Sequence, residues 1–512
     1  MALAESPRAP APERAVAAPR ARAWSPRLGV AAGIAAVALF YVAAYGDATG
    51  TFFSFDDYWV LARTATMPGH GPGDVARWFG FDHTGFVLYR PFSTVAYYAL
   101  LRAVFGYDAA GYHAVHLALH VVNATLVFAL ATAALGGRWR GFLTALLYAT
   151  APGHVLAAYW VALATMTLTA TAYLLALWGW VARGWRLGVL PIFAVALLSA
   201  EHAVTLPAVL TLAVVLLEGR WPDRRDARAL VPLWTIAVGY AAAKLWYLQA
   251  SPVGIVMRDS GYAMTANPLR WLDNLGRYAG FASSLLYPAI APGGGVSSTG
   301  ARVAGVASVA AAVALAIVAR PGRAVPRTLR AAAFGAVAFP VFLAPVLCLA
   351  DHVYGFYVGL AAVGAALAIV GTLASVPRVG TGAAAAVAAA ALVVQLTSGA
   401  RAAREERGFQ FYRTFTRSAA SWIDTVAALD RGRPDLDEVV VRWSWLTGLV
   451  FENDAYRLFT PDLRLRVHVT RNAEPVIPDR AMLVEEPVPS PPSRPFPGRE
   501  PRWDFLRARA PF

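Results

Sequence analysis

The sequence contains few charged residues, a single lysine and a single cysteine. Only 15% of its 512 residues are charged, whereas soluble proteins average about 25%. Lys244 is the one lysine and Cys348 is the one cysteine. A lone cysteine excludes an intramolecular disulfide framework and a metal site built from several cysteines. The shortage of charge, sustained over such a long chain, excludes an ordinary soluble protein.

Hydrophobic residues take the place of the missing charges. They make up 58% of the chain, and the mean hydropathy is +0.49. The successive apolar runs are close to the ~20 residues that a helix needs to cross a bilayer, and they lack the alternation of a transmembrane barrel. We therefore predict an all-α polytopic membrane protein with about eleven transmembrane helices. The predicted spans are 28–45, 111–133, 141–158, 160–182, 187–199, 203–217, 230–249, 302–319, 331–350, 353–374 and 380–397.

Two further segments are amphipathic rather than uniformly apolar. Segments 91–106 and 268–290 contain arginines within otherwise apolar sequence. We expect both to lie along the membrane interface rather than across the bilayer.

The arginines predict the orientation. The net charge of +14 comes from arginines in short loops between apolar runs, which indicates membrane orientation rather than a nucleic-acid groove. With the N-terminal tail in the cytoplasm, the inside loops carry 18 basic residues, and the outside segments up to residue 302 and at residue 351 carry 8. We predict a multi-pass cell (inner) membrane protein with an extracytoplasmic C-terminus. A cleaved signal peptide at 28–45 is the alternative, which the long preceding tail disfavours.

Composition divides the chain into three parts. Residues 1–27 are rich in Ala, Pro and Arg and predict a disordered cytoplasmic tail. Residues 28–399 form the predicted membrane domain, and residues 400–512 form a small external α/β appendage. Within the appendage we expect a helix at 401–430, strands at Glu438–Trp445 and Arg464–Thr470, and irregular structure over 472–512.

Acidic residues follow a different distribution from the arginines. Ten of the fifteen acids before residue 400 fall on the predicted outer side. Because the orientation rule depends on Lys and Arg and barely on acids, this placement is independent information. Glu201 and Asp351 lie in short breaks between apolar runs, where a charge is costly and usually functional.

The first predicted external loop carries two adjacent carboxylates, Asp56 and Asp57, between aromatic residues. One of them can act as a general base while its neighbour tunes it or binds a partner. The alternative is structural, with Asp56 as the N-cap of a helix that starts at Asp57. The sequence does not distinguish the two carboxylates.

Cations occur near these carboxylates in the predicted topology. Arg90 precedes Pro91, which suits the first turn of a helix, so Arg90 lies at the positive end of that helix, where it can meet a phosphate. Pairing with a loop carboxylate is the alternative for Arg90. Lys244 lies near the outer end of its span, where it either snorkels to the interface or meets a lipid phosphate.

Histidines cluster in the second span. His113, His116, His120 and Asn123 share one helical face. A metal site is one reading, but only His116 and His120 have i, i+4 spacing and no carboxylate accompanies them. We favour interhelical hydrogen bonds, with His113, nearest the outer face, as the functional candidate. A divalent metal stays possible but is not required.

Further polar residues follow at three breaks on the predicted outer side. His154 follows a Pro-Gly pair, His202 follows Glu201, and His352 follows Asp351 and leads into a tyrosine-rich stretch. The candidate substrate-binding residues are Asp82, Arg90, His113, His154, Glu201, His202, Lys244, Arg258, Asp351, His352, Tyr354 and Tyr357.

The order and spacing of these motifs resemble the GT-C class of membrane glycosyltransferases. They look most like the branch of protein O-mannosyltransferases and transmembrane, tetratricopeptide-containing O-mannosyltransferases. The tetratricopeptide repeats are absent here, and Ala200 stands where that branch often has a lysine. The matching blocks, within roughly 50–375, are Phe55-Asp56-Asp57, Tyr89-Arg90-Pro91-Phe92, Gly111-Tyr112-His113 with His120 and Asn123, Pro152-Gly153-His154, Leu197–Glu201 and the tyrosines after Asp351.

The resemblance implies a polyprenyl-phosphate-linked sugar donor used outside the cytoplasm, and an essential aspartate that matches Asp56 or Asp57. An inverting transfer needs one base for the acceptor hydroxyl and positive charge for the phosphate leaving group. We therefore expect Asp56 or Asp57 as the base and Arg90 and Lys244 as phosphate contacts, with Arg258 a further cation at the same face. Substrate would be positioned by Asp82, His154, Glu201 and Asp351, and the acceptor is a protein or a glycan. A transporter or flippase of a lipid-linked precursor is the alternative, as is a non-catalytic assembly partner that binds through residues 400–512.

Overall fold

The structure is a computed structural model. It describes residues 26–65, 76, 78–80, 86, 88–252, 262–283, 298–350, 352–375, 393, 407–452, 455–460, 462–472, 475 and 477–485.

Helices dominate the described part of the chain. Their bounds are α1 (Pro26–Tyr45), α2 (Asp56–Ala65), α3 (Tyr97–Phe105), α4 (Ala109–Leu135), α5 (Arg138–Ala149), α6 (His154–Tyr159), α7 (Ala164–Arg183), α8 (Val189–Leu197), α9 (Leu206–Leu212), α10 (Arg224–Ala250), α11 (Pro268–Ala282), α12 (Ser298–Val318), α13 (Arg327–Leu347), α14 (Val358–Ala374), α15 (Arg407–Gly432) and α16 (Trp445–Thr447). Short 3-10 segments are Gly46–Gly50, Val161–Leu163, Glu201–Thr205, Gly355–Tyr357 and Ala455–Leu458, and π-helical turns are Pro91–Ala96, Ala213–Leu217 and Gly448–Glu452.

The prediction of a helical membrane protein is confirmed. Among the described residues, seven helical stretches are long and apolar enough to cross a membrane. Helices α10 and α12 expose large apolar side chains such as Val238, Trp246, Val306 and Val313. Apolar faces of this extent suit contact with lipid. The seven stretches are Ala31–Gly50, Ala109–Leu135, Val161–Arg183, Arg224–Ala250, Thr299–Val318, Arg327–Leu347 and Gly355–Ala374.

The count of eleven spans stays a prediction, and one of those spans is not continuous. The helix expected over 141–158 is interrupted, because α5 ends at Ala149 and α6 begins only at His154. The interruption contains Pro152, which has no backbone N–H to donate, and Gly153, whose N–H donates to the carbonyl of Phe281 at 3.0 Å instead of to its own helix. The span predicted at 380–397 lies outside the described residues except for Val393.

The C-terminal appendage contains a small parallel sheet. Strands β1 (Glu438–Arg442), β2 (Arg466–Thr470) and β3 (Ala481–Val484) run in the order β2-β1-β3, with Glu438 opposite Arg466 on one side and Ala481 on the other. The prediction of irregular structure over all of 472–512 is therefore wrong at β3. This strand is a four-residue apolar run between proline-rich segments, too short to show the alternation that indicates a strand.

The appendage packs directly on the first loop of the membrane domain. A single apolar cluster joins Tyr58 of α2 and Tyr98 of α3 to Ile423 of α15, Val439 of β1 and Phe451. Helix α2 and the appendage therefore lie at the same end of the helical bundle.

Helices α13 and α14 approach each other at their glycines. A Cβ on Gly335 would lie 2.4 Å from the carbonyl oxygen of Gly364, and a Cβ on Gly364 would lie 2.8 Å from that of Gly335. Small residues at such crossings let helix backbones meet inside a membrane.

We expect Gly364→Ala to lower the free energy of unfolding by about 1–3 kcal/mol, because its Cβ has no room against the Gly335 carbonyl. The matched control is Gly359→Ala in the same helix, where the nearest atom to the new Cβ is His154 Cε1 at 3.9 Å. Thermal unfolding in detergent, followed by tryptophan fluorescence, measures both variants. Equal melting temperatures for the two would contradict the close crossing.

Candidate functional site

The loop before α2 holds a strained backbone next to the two carboxylates. Phe55 has φ of 46°, the left-handed region that is unusual for an aromatic residue. Helix α2 begins at Asp56 itself, so the alternative in which Asp56 caps a helix starting at Asp57 is wrong. Strain of this kind costs about 1–3 kcal/mol and persists only where the surroundings fix it.

Asp57 is buried and makes three hydrogen bonds. Its carboxylate accepts from the Ser54 N–H at 2.9 Å, from the Ala162 N–H at 2.6 Å and from the Tyr98 hydroxyl at 3.2 Å. Burial raises the pKa of Asp57 to about 7, and these hydrogen bonds oppose that rise. Asp57 thus joins the start of α2 to α3 and to the segment before α7.

Asp56 is exposed, in contrast to its neighbour. Within the described part of the chain its carboxylate has no hydrogen bond or ion pair, although the positive charge of Arg90 acts on it. Desolvation by the surrounding protein raises the pKa of Asp56, and Arg90 opposes that rise. Of the pair, Asp56 is therefore the one that a ligand can reach.

Arg90 and Glu201 form a bidentate ion pair, which is the alternative that the sequence left open for Arg90. Arg90 Nε donates to Glu201 Oε2 at 2.9 Å, and its terminal nitrogen donates to Oε1 at 2.6 Å. The side chains are only 18% and 26% exposed. Beside the pair, the Ser93 hydroxyl donates to the carbonyl of Ser199 at 2.6 Å, and the Phe92 N–H donates to that of Leu198 at 3.1 Å. These bonds fix the first loop to the break between α8 and α9.

Lys244 of α10 belongs to the same group of charges. Its ammonium lies 5.3 Å from the ring centre of Phe86 and 5.9 Å from that of Tyr240. It also interacts electrostatically with Glu201 and Arg90. We refer to Asp56, Arg90, Glu201 and Lys244 as the charged cluster.

An aromatic group extends from the charged cluster. Tyr262 and His352 have ring centres 4.1 Å apart, and His352 lies 4.6 Å from Tyr354. His202 stacks on Tyr357 at 5.3 Å. Tyr262 and Tyr357 both interact electrostatically with Arg90. Burial lowers the pKa of His352 to about 4, so this ring is neutral at pH 7 and contributes no positive charge.

His113 and its neighbours in α4 make hydrogen bonds to other segments of the chain. His113 Nε2 shares a hydrogen bond with Thr51 Oγ1 at 3.1 Å, and His116 Nε2 shares one with Thr167 Oγ1 at 3.2 Å. Asn123 donates to the carbonyl of Thr167 at 3.0 Å. The bonds of His116 and Asn123 join α4 to α7, so the interhelical hydrogen bonds that the sequence predicts for this face are present. Searched over the described residues, no group of three or more His, Cys, Asp or Glu is arranged to hold a metal ion.

The other predicted residues divide into two groups. His154 is buried, and its ring contacts are Tyr148 at 4.7 Å and His120 at 5.6 Å, so in the described part it does not touch the charged cluster. Asp82, Arg258 and Asp351 lie outside the described residues.

Sequence reasoning missed two residues of this region. Tyr262 joins the aromatic group from the loop before α11, and Tyr98 holds Asp57 from α3. Tyr98 lies in the amphipathic segment 91–106, where its burial could have been read from the helical periodicity. No feature of the neighbouring sequence predicts a role for Tyr262.

No protein-family model matches the sequence, and no curated protein matches it. Among solved structures, the chain is similar to the archaeal oligosaccharyltransferase AglB from Archaeoglobus fulgidus in complex with an inhibitory peptide and a dolichol-phosphate, with 12% identity and a TM-score of 0.47 over 85% of this chain and 64% of that one. It is also similar to ArnT from Cupriavidus metallidurans bound to undecaprenyl phosphate, with 14% identity and a TM-score of 0.36 over 86% of this chain and 89% of that one. The chain thus spans 64% of the length of the oligosaccharyltransferase that it matches.

Asp57→Ala is expected to destabilise the protein far more than Asp56→Ala. Removal of the Asp57 carboxylate leaves buried donors unpaired, at roughly 1–3 kcal/mol for each. Asp56 contributes only its charge near the start of a helix, less than about 1 kcal/mol. Chemical unfolding in detergent measures both variants, and equal losses of stability would show that Asp57 does not hold the loop.

The raised pKa of Asp57 predicts a pH dependence of stability. Between about pH 4 and pH 7 the folded protein keeps a proton on Asp57 that the unfolded chain has released. Raising the pH through this window therefore lowers stability, and Asp57→Asn, which cannot titrate, lacks that loss. We expect the melting temperature of Asp57→Asn to rise relative to wild type as the pH increases from about 5 to about 8. A difference that stays constant with pH would contradict the raised pKa.

Proposed function

We propose that the chain is a membrane glycosyltransferase of GT-C type that moves a sugar from a polyprenyl-phosphate-linked donor to an acceptor. The observation that carries this proposal is the contrast between the two carboxylates of the first loop. Asp56 is exposed and feels the positive charge of Arg90, whereas both oxygens of Asp57 are occupied by buried donors. A reachable base next to positive charge is what displacement of a phosphate by a hydroxyl requires.

Asp56 is the base in this proposal. As the acceptor oxygen forms its bond to the anomeric carbon, its proton passes to the Asp56 carboxylate. The bond between the anomeric carbon and the phosphate oxygen breaks, and that oxygen keeps the electron pair. Because the new bond forms on the face opposite the leaving group, the transfer inverts the anomeric centre. The upward shift in the pKa of Asp56 brings this carboxylate closer to the range that suits a general base.

Arg90 and Lys244 stabilise the departing phosphate. The ion pair with Glu201 uses two of the five N–H donors of the Arg90 guanidinium, so it orients Arg90 while leaving donors for a phosphate. Lys244 adds a second positive charge from α10. Glu201 is then a positioning residue, since it acts through Arg90.

The aromatic group beside the cluster contacts the sugar. Tyr354 and Tyr262 are exposed, and an aromatic face next to a charged site can pack against the apolar face of a sugar ring. His202, which is buried, stacks on the half-buried Tyr357 and supports this surface. Asp82, Arg258, Asp351 and His352 remain proposed contacts to donor or acceptor.

Several finer features belong to the same proposal. The reaction takes place on the extracytoplasmic side of the cell membrane, as the arginine distribution predicts. The donor sugar is a hexose of mannose type, as the sequence resemblance implies, and the acceptor is a protein or an envelope glycan.

Transport of a lipid-linked precursor is the second candidate. It is favoured by the broken helix pair α8 and α9, because transporters place polar groups at such breaks. However, Glu201 at this break pairs with Arg90 of the first loop, which lies outside the apolar spans. Vesicles loaded with radiolabelled donor separate the two: transfer consumes the donor, whereas transport moves it across the membrane intact.

Asp56→Asn should lower sugar transfer by at least ~100-fold without loss of folded protein, because the amide cannot accept the acceptor proton. Transfer is measured with membranes that contain the protein and a radiolabelled polyprenyl-phosphate hexose. The matched control is Asp108→Asn: Asp108 caps α4 through the Ala110 N–H at 3.1 Å, and asparagine caps equally well. Full activity in Asp56→Asn would remove Asp56 as the base.

A further inference from the structure

One ring of the C-terminal appendage lies among the rings of the first loop. The centre of Phe459 is 5.0 Å from Phe52, 5.9 Å from Phe53 and 6.3 Å from Tyr58. Tyr107, in the turn before α4, completes the surroundings at 5.8 Å. Phe459 therefore contacts residues on both sides of Phe55 and Asp56 along the chain.

The appendage itself fixes the position of Phe459. This residue directly follows the 3-10 segment Ala455–Leu458, and its N–H donates to the carbonyl of Tyr456 at 3.1 Å. Tyr456 is buried and packs against Phe451 at 5.2 Å between ring centres. Because its own backbone and the core of the appendage fix this ring, the ring limits the movement of the segment that it contacts.

The membrane domain holds the opposite side of the same loop. Phe53 packs edge-on against Tyr112 of α4 at 5.1 Å, and Thr51 shares its hydrogen bond with His113. The Tyr58 hydroxyl donates to the carbonyl of Phe53 at 2.9 Å, closing the turn across Phe55. The loop thus lies between α4 and the appendage.

We propose that Phe459 is a positioning residue for Asp56, and that the appendage braces the first loop from outside the membrane domain. This inference rests on the proposed function. The left-handed backbone of Phe55 is unfavourable alone, so contacts on both sides must hold it. A shift of about 1 Å in a reacting group can cost on the order of 100-fold in rate, so a brace with no reacting group of its own still controls turnover.

Phe459→Ala tests the brace by two readouts. Amide hydrogen exchange in the peptide that covers residues 51–65 should become faster, because the loop loses the ring contacts that Phe459 makes on one of its two sides. The kcat for sugar transfer should fall by about 10–100-fold. The KM for the polyprenyl-phosphate donor should stay unchanged, because Glu201 holds Arg90, and Lys244 packs against Phe86 and Tyr240. Phe459→Leu, which keeps apolar bulk, should lie between wild type and Phe459→Ala in both readouts.

The matched control is Trp443→Ala, which removes an exposed aromatic ring of the appendage that packs on Arg471 at 4.9 Å. It should leave both readouts at the wild-type level. Unchanged hydrogen exchange in Phe459→Ala would overturn the brace, and so would a loss of kcat in Trp443→Ala equal to that in Phe459→Ala.

If Phe459→Ala does not fold, Phe459→Leu decides alone: wild-type hydrogen exchange and wild-type kcat in that variant also overturn the proposal. A wild-type protein without transfer activity would remove the proposed function, while the exchange readout would still test the brace.

Discussion

The ion pair between Arg90 and Glu201 is the interaction on which the arrangement of the charged cluster depends. Each side chain belongs to a break in the helical pattern, one at the end of the first loop and one between α8 and α9. A charge left alone in such mostly apolar surroundings is costly. The bidentate pair satisfies both groups and joins segments that are 111 residues apart. Lys244, Tyr262 and Tyr357 interact electrostatically with the Arg90 guanidinium that this ion pair holds in place.

Two adjacent aspartates in the first loop have different surroundings, and this difference follows from the path of the backbone. The strained Phe55 lets α2 begin at Asp56, so successive side chains point in different directions from the first turn. Asp57 turns into the protein and is held by α3 and by the Ala162 segment. Asp56 turns outward. The structure therefore separates a carboxylate that fixes the loop from one that a substrate can reach.

The sequence predicted what depends on composition and on periodicity. The helical membrane fold, the paired aspartates and the polar breaks all follow from apolar runs and from the charges between them. It could not rank Asp56 against Asp57, because that depends on the Ala162 N–H, which is distant in sequence. It missed β3, which gains its strand geometry from pairing with β1. It also attached no role to Phe459, whose contacts exist only after the appendage has docked.

A double-mutant cycle on Arg90 and Glu201 tests the central interaction most directly. Arg90→Met, Glu201→Met and the double variant are compared with wild type by unfolding in detergent. Each single substitution leaves one largely buried charge unpaired, so we expect each to cost up to about 3–5 kcal/mol. The double variant should cost clearly less than the sum of the two. Losses that add to within about 0.5 kcal/mol would contradict the account, because they would show that the two charges do not depend on each other.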